Sequence, residues 1–298
     1  MKIIDPHLHL FNTEYGDYYW LKAENPPFWP DKQLISKTFT EADLSLEPSI
    51  ELAGFVHIEA GFDNNQPWRE LTALEQSCRK PFRAIASVDL TTSSHDFNSV
   101  IEELAKRHSF VGVRHLLDEQ ALSLLTNQQV LDNITTLNNI TTLNKNGLIF
   151  EVQLALIEHI TVNNLCDVIA DNPEISFIIN HAGFPPADRH TIEWQRWQNN
   201  LEKLSFFPHV AIKCSGWEMT DRNYQVAWLN KNLTLIFDIF GAQKMMLASN
   251  FPLCLFSHDS YQDYWQAIIH SDFFQALSKQ EKSALCYDNA LRWYGVSL

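Results

Sequence analysis

The sequence predicts a parallel α/β barrel built from eight strand–helix units, (β/α)8. Eight short apolar runs rich in β-branched residues recur along its length, at residues 2–9, 55–60, 83–90, 111–116, 148–154, 176–181, 210–215 and 245–250. Helix-like segments lie between most of them, at 68–80, 97–107, 159–171 and 194–204. Strands alternating with helices pair in parallel through crossovers. No glycine-rich phosphate loop follows any strand, which weighs against a doubly wound open sheet. The chain has 298 residues, 45% of them hydrophobic. A barrel of this kind typically takes about 250 residues. Length alone would also admit two domains, but no linker divides the chain, so one domain over 1–298 is expected.

The first run carries Asp5-Pro6-His7-Leu8-His9. Side chains alternate faces along a strand, so Asp5, His7 and His9 are expected on one face and Leu8 on the other. Two imidazoles about 7 Å apart along a twisting strand can converge on one ion, and neutral imidazole is the commonest metal ligand. Residues 11–30 follow, aromatic and with Pro26, Pro27 and Pro30, where an active-site loop of a barrel would lie. His57 and Glu59 share a face of run two. Arg114 follows Gly112 in run four, Glu151 and Gln153 share a face of run five, and Lys213 precedes Ser215 in run seven. Charged residues are rarely buried unpaired, so this set predicts a polar pocket at the barrel mouth; ion pairs between strands are the other reading. Run six ends in His181 and run eight in Asn250. All C-terminal strand ends of a parallel barrel meet at one face, which brings both residues to His7 and His9. Before run five the hexamer NITTLN occurs twice in succession, at 133–138 and 139–144. Six residues are not a whole number of helical turns, so the repeat must rotate or bulge a helix that holds it.

The net charge is −14 and Lys and Arg are scattered. A nucleic-acid partner would need a basic patch, and none is visible. No apolar run approaches the roughly 18 residues of a membrane span. The five cysteines, Cys78, Cys166, Cys214, Cys254 and Cys286, form no CxxC pair and read as free thiols of a reducing compartment. Met1 runs straight into the first strand-like run, which predicts no leader segment and a cytoplasmic location. The expected partner is a small-molecule substrate. Oligomeric state has no diagnostic stripe, and a homo-oligomer is compatible with the sequence.

The motifs IIDPHLHLFN (3–12), HIEAG (57–61), VGVRH (111–115), NHAGFPPADR (180–189), VAIKCSG (210–216), SNFP (249–252) and YDNALRWYG (287–295) resemble the amidohydrolase superfamily of TIM-barrel metal-dependent hydrolases. The resemblance is to its amidohydrolase-related branch, with sugar-acid lactonases and 2-pyrone-4,6-dicarboxylate lactonase. It covers nearly the whole chain. It implies His7, His9 and His181 as metal-site residues, and a divalent metal, zinc first and manganese second, although some related lactonases work without one. Most of the superfamily has Asp at the strand-eight position, as ligand and proton carrier; here it is Asn250. The subgroup usually continues with Val-Asp, where this chain has Leu253 and Cys254.

A bound metal would polarise a substrate carbonyl and activate water. Asn250 cannot take the water's proton, so the base is expected among Glu59, His57 and Glu151. A lactone expels an alcohol and opens more easily than an amide, which favours lactone or ester substrates. Arg114, Lys213 and His115 are the groups able to bind a carboxylate or hydroxyls, although strict parity turns His115 outward. Trp20, Trp29 and Trp217 could line the pocket or pack between barrel and loops. The rival readings are a metal-dependent decarboxylase of the same superfamily and a non-catalytic ligand-binding barrel.

Overall fold

The computed structural model describes residues 1–144 and 147–296. Eight strands follow in sequence order: β1 (Lys2–Leu8), β2 (Glu51–Ile58), β3 (Phe82–Ser87), β4 (Phe110–Arg114), β5 (Ile149–Val152), β6 (Ser176–Ile179), β7 (Val210–Cys214) and β8 (Met245–Leu247). Each pairs in parallel with the next. The sheet closes just beyond β8, where Leu8 bridges Phe251. Asn250 N donates to the His7 carbonyl at 2.9 Å and His9 N to the Phe251 carbonyl at 2.7 Å. The fold is the expected (β/α)8 TIM barrel.

The inner faces contribute Ile4, Val56, Ile58, Ile85, Ile149, Ile178, Ala211 and Met246 to one cluster. Ala290 and Tyr294 of the last helix, Asn289–Tyr294, plug its floor. The outer faces pack Leu8, Phe55 and Phe177 against helical residues such as Leu71 and Leu165. Each fully buried side chain of this size contributes roughly 1.5–3 kcal/mol.

The helix Trp68–Ser77 ends three residues short of the expected 80, and His159–Asp171 matches. Two others start earlier than the apolar pattern suggests, at Ser94 and Ile192. There the Ser93 and Thr191 side chains accept from Asp96 N and Trp194 N, capping the first turn. Most expected strands run too far at their C-terminal ends. The residues past each end leave the ladder and turn into the barrel mouth.

Strict alternation also fails in β1. Ile4 faces the barrel interior, so Asp5 faces out, where its carboxylate accepts from Ser249 N at 3.1 Å and Tyr261 OH at 3.1 Å. The register shifts between Asp5 and Leu8, which returns His7 to the inside. The expected common face for Asp5 and His7 is therefore corrected.

The duplicated hexamer lies in one continuous helix, Gln128–Asn144. Six residues advance the helix by about 600°, so the copies present different faces. Asn133 is buried and donates to the Leu90 and Thr92 carbonyls, both at 3.0 Å; Asn139 is exposed. The side chains of 142–144 lie outside the described residues. The long segment after β1 folds over the mouth: Phe11 bridges Phe39, and Tyr18 N donates to the Gly61 carbonyl at 2.9 Å. Among the described residues no helix is long and apolar enough to cross a membrane.

Candidate active site

The C-terminal strand ends bring together His7, His9 and His181. The His7 ring lies 5.1 Å from that of His9 and 4.6 Å from that of His181, centroid to centroid. All three are buried. Burial pushes each well below the usual histidine value. Positive neighbours add to the effect, chiefly Lys213 on His7 and Arg114 on His9 and His181. Neutral imidazoles are the form that binds metals.

Their hydrogen bonds leave ligand atoms free. His9 Nδ1 lies 2.8 Å from the Ile58 carbonyl, which can only accept, so the proton sits on Nδ1 and Nε2 keeps its lone pair. His181 Nδ1 meets Ser215 Oγ at 3.1 Å. Both ring nitrogens of His7 are buried and, among the described residues, have no hydrogen-bond partner. Buried polar atoms are normally satisfied, so the donor chemistry fits a divalent metal with nitrogen preference. Among the described residues no group of three or more His, Cys, Asp or Glu side chains is already set around an ion position. The fit is one of donor type and burial, and ring adjustment must complete it.

A cavity of about 630 Å³ opens over this trio, lined by His9, His181, Asn250, Arg114 and Glu59 on its floor. Trp20, Trp29, Tyr19 and Phe184 form aromatic walls, and Asp118 and Glu119 stand at the side. Trp20 is fixed by Nε1 donating to the Ala60 carbonyl at 2.7 Å. Arg114 is held on three sides: Nε to Glu59 Oε1 at 2.8 Å, Nη2 to the Glu59 carbonyl at 3.0 Å, and Nη1 to Gln153 Oε1 at 2.9 Å. A separate crevice of about 450 Å³ between the β1 loop and helix Trp68–Ser77 holds none of the three histidines.

Asn250 stands where the eighth strand leaves the sheet, with φ +58°. His181 is also left-handed, at φ +51°. Such backbone is uncommon outside glycine and clusters at functional sites. Asn250 Nδ2 donates to Glu218 Oε1 at 2.6 Å, and its Oδ1 has no partner among the described residues. Glu218 went unnoticed in the sequence. It lies in the single turn Trp217–Thr220 just after β7, and burial pushes its carboxyl up to about 7. Asn180 is a second omission: it is fully buried, and among the described residues neither its Nδ2 nor its Oδ1 has a partner. The signal for Asn180 was parity, since Ile178 two residues earlier faces inward. Glu218 had no periodic signal.

Five expected site residues are elsewhere or occupied. Val56 and Ile58 face the barrel interior, so His57 between them points outward. There Nε2 meets Glu70 Oε1 at 3.1 Å and Nδ1 accepts from Leu10 N at 3.2 Å; it is a strut between barrel and helix, not a base. Glu151 lies beneath the cavity, with Oε2 2.5 Å from Lys213 Nζ and Oε1 accepting from Tyr294 OH at 2.5 Å. That pair removes Glu151 as the base and Lys213 as a substrate contact; both are fully buried. His115 turns away to the Val88 carbonyl, 3.0 Å from Nδ1. Trp217 is fully buried against Trp228, ring centroids 5.9 Å apart.

A family model described as "Amidohydrolase" matches residues 4–296. An uncharacterized protein of Sinorhizobium fredii, y4mH, is 28% identical over 303 residues, covering 99% of this chain and 98% of that one. An L-fucono-1,5-lactonase of Burkholderia multivorans is 30% identical over 128 residues, 40% of this chain and 43% of that protein. Among solved structures, an amidohydrolase of Burkholderia multivorans with bound zinc covers 100% of both chains at TM-score 0.79 and 20% identity. A putative 2-pyrone-4,6-dicarboxylic acid hydrolase of Pseudomonas putida covers 99% of this chain and 98% of its own, at TM-score 0.64 and 19% identity. A 5-carboxyvanillate decarboxylase of Sphingomonas paucimobilis covers 100% and 99%, at TM-score 0.62 and 11% identity. These structural likenesses establish the shared barrel. The family match does more, because it runs through all eight strands and every residue of the mouth: the chain belongs to the amidohydrolase family.

Proposed function

We propose that the protein opens the lactone ring of a small, neutral, hydroxylated substrate. The observation that carries this reading is the charge of the cavity. Among the described residues its one lining cation, Arg114, is paired with Glu59, while Asp118 and Glu119 add negative charge. With the three histidines reserved for a metal that engages the lactone carbonyl, a further carboxylate on the substrate would find Arg114 already paired and would face Asp118 and Glu119; a neutral sugar-like lactone would not. Trp20 and Trp29 offer faces on which such a ring can rest, and the carboxylates offer acceptors for its hydroxyls.

His7, His9 and His181 would hold a divalent metal, zinc first and manganese second, which when bound supplies Lewis-acid chemistry at the substrate carbonyl. Asn250 Oδ1 accepts a hydrogen bond from the attacking water and orients it. Of the carboxylates named from the sequence, Glu59 lines the cavity; Arg114 occupies its Oε1, and its second oxygen is assigned the water's proton. The water oxygen bonds to the carbonyl carbon, the ring C–O bond breaks, and the proton passes to the departing alkoxide. Aromatic walls limit bulk water during this transfer. The leaving group is an alcohol, which needs less proton assistance than an amine, in keeping with an amide at the strand-eight position.

The test combines metal analysis of protein purified without chelators with a lactone panel. About one ion per chain is expected, lost in a His7→Ala/His9→Ala variant. Neutral 1,5-lactones should release acid at least about tenfold faster (kcat/KM) than a pyrone dicarboxylate, a difference of about 1.4 kcal/mol. Carbon dioxide release from aromatic carboxylates, without lactone opening, would favour a decarboxylase. Absence of any turnover would favour a ligand-binding barrel.

A further inference from the structure

We infer that Glu218 is a positioning residue that locks the amide of Asn250 with its oxygen toward the reaction cavity. The two ends of an asparagine amide differ only in hydrogen-bonding role, and neighbours decide which way it faces. Here the contact at 2.6 Å joins Asn250 to Glu218 Oε1. A carboxyl offers an acceptor oxygen in either protonation state, and the NH2 end of Asn250 is the end that faces Glu218 Oε1. The carbonyl end is then turned elsewhere, and Oδ1 is buried and unpartnered on a residue that lines the cavity.

The surroundings reserve Glu218 for this task. Arg222 bonds the Glu218 backbone carbonyl, while its Nε meets Asp31 Oδ2 at 2.8 Å. Its guanidinium packs over Phe256, 4.1 Å from the ring centroid. Among the described residues, the side-chain hydrogen bond to the Glu218 carboxylate is that from Asn250, and Oε2 has no partner. A carboxylate 1% exposed with one amide partner is costly unless it has a purpose. The turn that delivers it is also fixed. Ser215 meets His181 Nδ1 at 3.1 Å, and the next residue, Gly216, has φ +69°. One turn therefore orients both His181 and, through Glu218, Asn250.

The inference rests in its kinetic arm on the lactone reading, and its stability arm needs no substrate. The experiment is a cycle of Glu218→Gln, Asn250→Asp and the double variant, read by thermal melting and by kcat and KM on a neutral lactone. Asn250→Asp alone places two buried carboxylates face to face and should lower Tm by several degrees. Adding Glu218→Gln exchanges donor and acceptor across the same contact, so Tm should recover and an oxygen again faces the cavity. Glu218→Gln alone lets both amides turn, and kcat should fall about tenfold with little change in KM. The double variant should exceed either single variant in kcat, a reversal that a merely structural role would not produce. Additive losses in Tm, or a Glu218→Gln variant with wild-type kcat, would overturn the inference. Tm recovery in a protein that turns over no lactone would sink the functional reading while leaving the pair intact.

Discussion

Replacing Lys213 with methionine is expected to cost about 3–5 kcal/mol of folding stability. Lys213 and Glu151 are both fully buried, 2.5 Å apart, at the centre of the barrel. Burial lowers the Lys213 ammonium to about 8, against the opposing pull of Glu151. Loss of the lysine leaves a carboxylate in the barrel with the Tyr294 hydroxyl as its hydrogen-bond donor among the described residues, and a buried charge stripped of its counter-ion is among the most damaging changes a core can suffer. The double variant Lys213→Met/Glu151→Leu should regain most of the loss, because apolar groups of similar volume can replace a buried ion pair. Urea unfolding of the three proteins checks this. A single variant within about 0.5 kcal/mol of the parent, the range of ordinary surface substitutions, would mean that Glu151 is satisfied without the lysine.

Gly216→Ala should damage the site more than the fold. A β-carbon there would sit 2.5 Å from His181 Nδ1 and 2.6 Å from its Cγ, closer than any stable contact. The backbone at φ +69° also resists a side chain. His181 must move, and a shift of about 1 Å in a catalytic group can cost about 100-fold in rate. The expected outcome is a fall in kcat/KM of at least about 100-fold, with reduced metal content and a stability loss of about 1–3 kcal/mol. Metal analysis and melting on the same sample separate the two effects. Full activity would remove His181 from the site.

The barrel was legible because alternation of strands and helices is a long-range pattern that eight units repeat. Strand ends were read less well, since residues such as Gln153, His181 and Asn250 still look strand-like while the backbone has already left the ladder. His7, His9 and His181 converge as the strand ends implied, although the parity argument for β1 failed at the shift between Asp5 and Leu8. His57 was misjudged because its neighbours Val56 and Ile58, not it, define the inner face. Glu151 and Lys213 were correctly placed inside the barrel but assigned to substrate and catalysis. Their mutual pairing across β5 and β7 depends on a distance that no single strand records. Glu218 escaped notice because one helical turn carries no periodicity, and Trp217 was placed in the pocket because a tryptophan beside a site looks the same whether it packs or binds.

The seam at which β1 meets residues 250–251 has a consequence for how the protein is made. His7 and His9 are synthesised before β2 to β8, yet the backbone bonds that secure them, Asn250 N to the His7 carbonyl and His9 N to the Phe251 carbonyl, use residues that follow β8. A nascent chain therefore carries two of its three histidines through the synthesis of β2 to β8 without the frame that holds them. Contacts so distant in sequence form slowly, because loop closure must precede their reward. Catalytic competence and topological closure arrive together, and a chain released before residue 250 would lack both.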